Sequence, residues 1–294
     1  MSLACFICRG VDFDHVTPEY RRCCTCGHET LAESQQQAYM LNDALRGGDS
    51  ARPTALDRFQ SAVLERFRQG RSCRQLVDIG SGSGQFLLHN GRKFERSCGI
   101  EITPEAVAYS RNNLGLHVVS DIADIAGEID VVTAWHSLEH FPAPALVVLL
   151  EQLRLKISPG GCIIVSVPNA ASFQYRWFRG RYAFFDVPAH LHQFTAASLL
   201  RLFASHGFHP SGAVTSWPYN LFGYVQGLLN LVIPDHNHLY YRLKRGRAAP
   251  SILPTVASFC LLPFALPIGA ACALVDAARP SRQAVLTYCF EKRA

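Results

Sequence analysis

The 294-residue chain is long enough for one substantial core with additions. Hydrophobic residues make up 49% of it and the net charge is +5, a basicity too diffuse to point to nucleic acid, which is therefore not expected as a partner. The 11 cysteines follow no apolar leader, so a cytoplasmic, reducing setting is expected and the thiols are read for metal before disulfides.

Cys5-x2-Cys8 and Cys23-x2-Cys26 open the chain as two knuckles. Four thiolates on two such turns can surround one tetrahedral zinc ion. Residues 1–32 have almost no core of their own, so metal would supply their folding energy, and a closed structural Zn2+ site is expected. Cys24 and His28 compete for ligand places. Residues 33–73 read as a helical linker ending in the amphipathic run Leu56, Phe59, Val63, Leu64, Phe67.

From 74 to 217, apolar strands alternate with helical stretches, the pattern of a parallel sheet with crossover helices. Strands are expected at 75–79, 97–101, 117–120, 129–134, 162–167 and 213–217, with a last one at 284–290. Helices are expected at 104–114, 144–156 and 196–206, the last closed by Gly207. Residues 218–282 are unusually apolar.

The first of these strands runs into Asp78-Ile79-Gly80-Ser81-Gly82-Ser83-Gly84, followed by a helical stretch. Glycines let the backbone turn sharply against a ligand, and free N–H groups at the helix start can hold an anionic group. Glu101, at the end of the second strand, can accept ribose hydroxyls. The spacing is G-x-G-x-G, with Gln85 where the dinucleotide fingerprint has its third glycine, which disfavours an NAD oxidoreductase.

VDIGSGSG, GIEIT, IDVVTAWHSLEHF, PGG and VPN, in that order, resemble the successive motifs of class I S-adenosylmethionine-dependent methyltransferases. DVPAHLHQFT, residues 186–195, resembles the bacterial branch acting on small molecules and glycans. The resemblance implies an α/β, Rossmann-like, doubly wound seven-stranded sheet over 74–217 plus 283–294, to which the cysteine spacing adds a small N-terminal zinc ribbon. It implies that Gly80, Ser81, Gly82 and Gly84 face the methionine part of the cofactor and that Asp78 helps hold its amino group. Glu101 would hold the ribose, Ile102 would lie on the adenine and Asp121 would approach the adenine amino group. Trp135 and His136 would border the methyl-donor end.

If the acceptor is a hydroxyl, a nearby base should take its proton, and histidine suits that role. His140 is the first candidate, with His136 and His190 beside it. His136, Glu139 and His140 could instead share a divalent metal. Of His190 and His192, two apart in an extended segment, at most one is expected to face the acceptor.

No charged residue stands between Arg247 and Asp276, a stretch long enough to cross a bilayer. The last strand must rejoin the sheet, both flanks are basic, and Pro254, Pro263 and Pro267 are expected to break any long helix. A re-entrant or surface-lying hairpin within 218–282, in peripheral contact with a membrane, is therefore expected, the alternative being helices packed on the core or on a second copy. The function expected is methyl transfer to a small-molecule or lipid-linked acceptor, a sugar or quinone-type precursor, with O-methylation favoured. An RNA methyltransferase that reads RNA with the ribbon, and a non-catalytic cofactor-binding scaffold, stand as alternatives.

Overall fold

The computed structural model describes residues 4–32, 53–71, 74–245 and 252–292. The N-terminal segment forms three short strands: β1 (Phe13–His15), β2 (Tyr20–Cys23) and β3 (Glu29–Leu31). Helix α1 (Ala55–Arg68) follows, started by a capping box between Thr54 and Asp57. Of the expected linker, residues 33–52 and 72–73 lie outside the described residues.

A seven-stranded sheet organises the rest. Its strands are β4 (Gln75–Ile79), β5 (Arg96–Ile100), β6 (Val118–Val119), β7 (Ile129–Trp135), β8 (Ile157–Pro168), β10 (Phe208–Val214) and β11 (Val285–Lys292). Their order is β10-β11-β8-β7-β4-β5-β6. Strands β4 to β8 pair in parallel, and β11 runs antiparallel between β8 and β10. The chain leaves β4 toward β5 and β6, then returns to lay β7 on its other side. That reversal opens a crevice beyond the carboxyl ends of β4 and β7. All five residues of β4 are buried, as a central parallel strand covered on both faces requires.

Helices α2 (Gln85–Asn90), α3 (Pro104–Leu114), α4 (Ala143–Lys156), α5 (Phe173–Phe178) and α6 (Ala196–Ser205) form the crossovers, with the two-residue β9 (His192–Gln193) before α6. On one face Val63 and Leu64 of α1 and Phe86 and Leu87 of α2 pack on Val131 and Ile164. On the other, Leu146, Leu149, Leu150 and Leu153 of α4 meet Val77, Val132 and Val165.

Two expectations are corrected. The strand expected at 213–217 lies earlier, at β10, because Gly207 (φ +81°) closes α6 and the strand begins at once. Trp217-Pro218 instead opens helix α7 (Trp217–Val232), with proline in the first turn where its missing N–H costs nothing. The apolar region is not broken at its prolines. After α8 (His238–Arg245), a single 26-residue helix, α9 (Ile252–Ala277), runs through Pro263 and Pro267. Pro254 falls in its first turn, where no intrahelical donor is needed. The amide positions lost at Pro263 and Pro267 would have met the carbonyls of Phe259 and Pro263. All three residues are exposed, so the side of α9 that packs on α7 keeps its hydrogen bonds.

Candidate active site

The end of β4 enters the crevice through Gly80 (φ +69°), whose amide, with that of Ser81, is bonded to the Ile100 carbonyl at 2.8 and 3.1 Å. A side chain at Gly80 would stand 2.5 Å from the Ser137 Cβ. Gly84 (φ +82°) opens α2 in the left-handed conformation, with Leu116 and Ser110 where a Cβ would project. The Glu101 carboxylate fixes this cradle from below. Oε2 accepts from the Gly82 amide at 2.9 Å, and Oε1 accepts from the amides of Ile102 and Thr103 at 2.9 and 2.8 Å.

Above the cradle lies a cavity of about 560 Å³. Gly80, Gly82, Glu101, Ile102 and Asp121 line one end; His136, Ser137, His140, Asp186, His190, Tyr240 and Tyr241 line the other. Four residues expected at the cofactor are not among its wall. Asp78 is buried below the loop, where Thr133 Oγ1 donates to it at 2.6 Å and burial pushes its carboxyl up to about 7. Ser81 tucks its hydroxyl against Gly99, and Gly84 lies at the helix start behind the wall. Trp135 has the strand parity of Val131, which turns its ring to the α1–α2 face, 5.4 Å from Phe86.

At the far end the Glu139 side chain is fully buried and, among the described residues, neither carboxylate oxygen has a hydrogen-bond donor. His136 Nδ1 stands 3.4 Å and His190 Nε2 4.0 Å from Oε1. Burial alone would raise this carboxyl; the His136 imidazole, then His140 and His190, outweigh it and hold it at about 2. Burial, then the neighbouring His140, brings His190 down to about 3, so its ring is neutral near neutral pH. His140 Nδ1 lies 2.9 Å from the Ala189 carbonyl, an acceptor only, so Nδ1 carries the proton and Nε2 is the basic nitrogen. His136 sits at φ +52°, its ring stacked on Phe184 and its amide bonded to the Ser166 carbonyl at 2.9 Å. Glu139, His140 and His190 each bring one donor atom to within 4.8 Å of the others.

A family model described as "Methyltransferase domain" matches residues 50–210. The chain belongs to this family. The methyltransferase uses S-adenosylmethionine as donor. Among solved structures it is similar to the [4+2]-cyclase SpnF, with a TM-score of 0.51, 18% identity, and 84% of this chain and 86% of that one covered. It is also similar to a candidate sarcosine dimethylglycine methyltransferase from Galdieria sulphuraria, with a TM-score of 0.53, 13% identity, and 80% and 84% covered. At these identities the likeness shows the fold. No curated protein matches the sequence significantly.

The N-terminal strands of the methyltransferase join the end of the cavity that carries His140 and His190. β3 pairs with β9, making a four-stranded sheet of order β1-β2-β3-β9. The Leu31 amide bonds the Leu191 carbonyl, and the Leu191 amide bonds the Glu139 carbonyl, at 2.9 and 2.8 Å. Tyr20 donates its hydroxyl to the His190 carbonyl at 2.5 Å, and Tyr175 donates to the buried Glu29 carboxylate, which also pairs with Arg22. His190 faces the cavity and His192 faces the ribbon; two residues apart they would share a face of a regular strand, but His190 precedes β9 and the chain bends at Leu191 between them.

Cys5 Sγ lies 3.7 Å from Cys26 Sγ, and Cys8 Sγ 3.4 Å from Cys23 Sγ, with all four within 4.8 Å of one another. Tetrahedral zinc with sulfur ligands at about 2.3 Å needs sulfurs roughly 3.8 Å apart, so the four thiols fit that ion. Cys24 is exposed and outside the group, and His28 turns to His192 instead. Tyr240 and Tyr241 escaped the sequence reading, because they sit in the apolar region rather than in a family motif.

Proposed function

We propose that the methyltransferase O-methylates a small or lipid-linked acceptor, a sugar or quinone-type ring, with His140 as the base. The observation that carries this is the Nδ1–H of His140 bonded to the Ala189 carbonyl, which leaves Nε2 free to take a proton at the acceptor end of the cavity. When bound, S-adenosylmethionine supplies an activated methyl group on a sulfonium. The backbone of Gly80 and Gly82 would lie along its methionine part. Glu101 keeps lone pairs for the ribose hydroxyls, Ile102, 70% exposed, offers an apolar face to the adenine, and Asp121 accepts its amino group. Asp78, Ser81, Gly84 and Trp135 support this cradle from behind.

At the other end His140 would take the acceptor's proton as the acceptor oxygen bonds the methyl carbon, whose bond to sulfur breaks and leaves a neutral thioether. The Glu139 carboxylate stabilises the charged imidazole that results, and His136 and His190 orient Glu139 and the acceptor. Zinc on Cys5, Cys8, Cys23 and Cys26 would be structural, since four protein ligands leave no open position. The ribbon's Arg22 is drawn to Glu29 and Arg21 lies over Phe13, which supports a structural rather than RNA-reading ribbon.

A second reading rests on Glu139, His140 and His190: three donors within 4.8 Å can hold a divalent cation that would bind the acceptor oxygen. Metal analysis separates the two. One zinc per chain supports the base; a second metal lost in Glu139→Gln supports the cation.

The deciding experiment incubates the protein with methyl-labelled cofactor and with lipid and aqueous extracts, then locates the label by fragmentation. Label on oxygen that disappears in His140→Ala is expected. Label on nitrogen or carbon, or full turnover by His140→Ala, overturns the proposal.

A further inference from the structure

Helix α9 is built inside out for a protein surrounded only by water. Its buried seam is made of the small or polar residues Ser258, Ala265, Gly269, Ala273 and Asp276 rather than of its large apolar ones. Gly269 lies against α7, where a Cβ would meet Val225 at 2.9 Å, and Asp276 accepts from the Tyr224 hydroxyl at 2.8 Å. The large apolar side chains point the other way: Ile252, Leu253, Phe259, Phe264, Ile268 and Val275 are each more than half exposed. Only 22% of the helix's most apolar window is buried, at a mean hydropathy of 2.1. A helix apolar all round is stable only inside a core or a bilayer, and here the protein covers one narrow seam.

Charge indicates what covers the rest. Arg242, Lys244, Arg245 and Arg247 precede the helix, and Arg279 and Arg282 follow it, with no charged residue between Arg247 and Asp276. Exposed Trp177 stands beside Tyr224 at the same end as Asp276. Basic ends and an exposed tryptophan around an apolar body suit an anionic bilayer surface. α9 packs along α7 and β11 then returns to the sheet, so both ends of the helix, about 39 Å long, are tied to the folded domain, which favours a helix lying along the surface over a single crossing.

The same unit builds the cavity wall. His238 Nε2 is 2.9 Å from Thr255 Oγ1, Leu239 shares a buried cluster with Ala265, and the next residues, Tyr240 and Tyr241, line the acceptor end of the cavity. We propose that α9 docks the enzyme on an anionic phospholipid surface and so presents the cavity mouth to a lipid-linked acceptor. The substrate class rests on the methyl-transfer reading above; the docking does not.

The test is vesicle flotation of the full-length, zinc-loaded protein, with phosphatidylcholine alone and with phosphatidylcholine mixed with phosphatidylglycerol. Flotation with the mixed vesicles is expected, reduced about tenfold or more in the double variant Phe264→Asp/Ile268→Asp. Cofactor affinity should be unchanged in that variant, which reports that it is folded. Protein that stays unbound to both vesicles overturns the docking, as does a dimer in light scattering that the double variant dissolves, which would make this face a contact between copies. If the protein floats but label enters only water-soluble acceptors, the lipid-linked class is overturned. Loss of methyl transfer with flotation intact counts against the methyl-transfer reading and not against the surface.

Discussion

His28 of the ribbon holds its Nε2 3.2 Å from Nδ1 of His192, on the segment that turns His190 into the cavity. Both rings are buried, and burial holds His28 well below its ordinary value and His192 at about 4. With His190 at about 3, three bases are kept neutral in the fold and become free to charge in the unfolded chain. The unfolded state then binds more protons below about 6.5, and stability falls as pH drops from there toward 4. Thermal melts from pH 7.5 to pH 5 should show a falling Tm, and His192→Gln should flatten that slope. An unchanged slope would remove this pair as its source.

Cys8→Ser should remove bound zinc and loosen the β3–β9 pairing. The His190 carbonyl and the Leu191 backbone are tied to the ribbon, while the glycine cradle is not. Turnover is therefore expected to fall at least tenfold while cofactor affinity, measured by calorimetry, changes little.

Glu101→Ala removes acceptors from the amides of Gly82, Ile102 and Thr103 as well as from the ribose. Cofactor affinity should fall on the order of 10–100-fold. Gly80→Ala should act on the same quantity, because the residue is left-handed and its Cβ would press on Ser137. Wild-type affinity in both variants would place the donor elsewhere.

His140→Ala should lower kcat by roughly 10²–10⁴ with the cofactor dissociation constant unchanged. Glu139→Gln should also lower kcat, since the charged His140 then loses its buried counter-ion. Raising the pH should not rescue it, whereas a defect confined to proton uptake would recover.

Much of this was legible wherever a residue has one physical use. Pro104 and Gly115 name the ends of α3, and Gly80, Gly84 and Glu101 name the cradle. Trp135 was legible in principle, because it shares the parity of Val131 and so turns from the cavity. The pairing of β3 with β9 was not: two residues give no period, and their partner lies far along the chain. Nor was the continuity of α9, since the rule that proline ends a helix assumes that the freed carbonyl matters to packing.

Strand β11 fills the gap between β8 and β10, yet α9 is made before it. During synthesis the sheet therefore stays open, with two unpaired edges, while the most apolar helix has already emerged. An early encounter between α9 and a bilayer would shield that helix while the sheet is still incomplete. If α9 docks as proposed, the order of elements along the chain lets that docking precede completion of the fold.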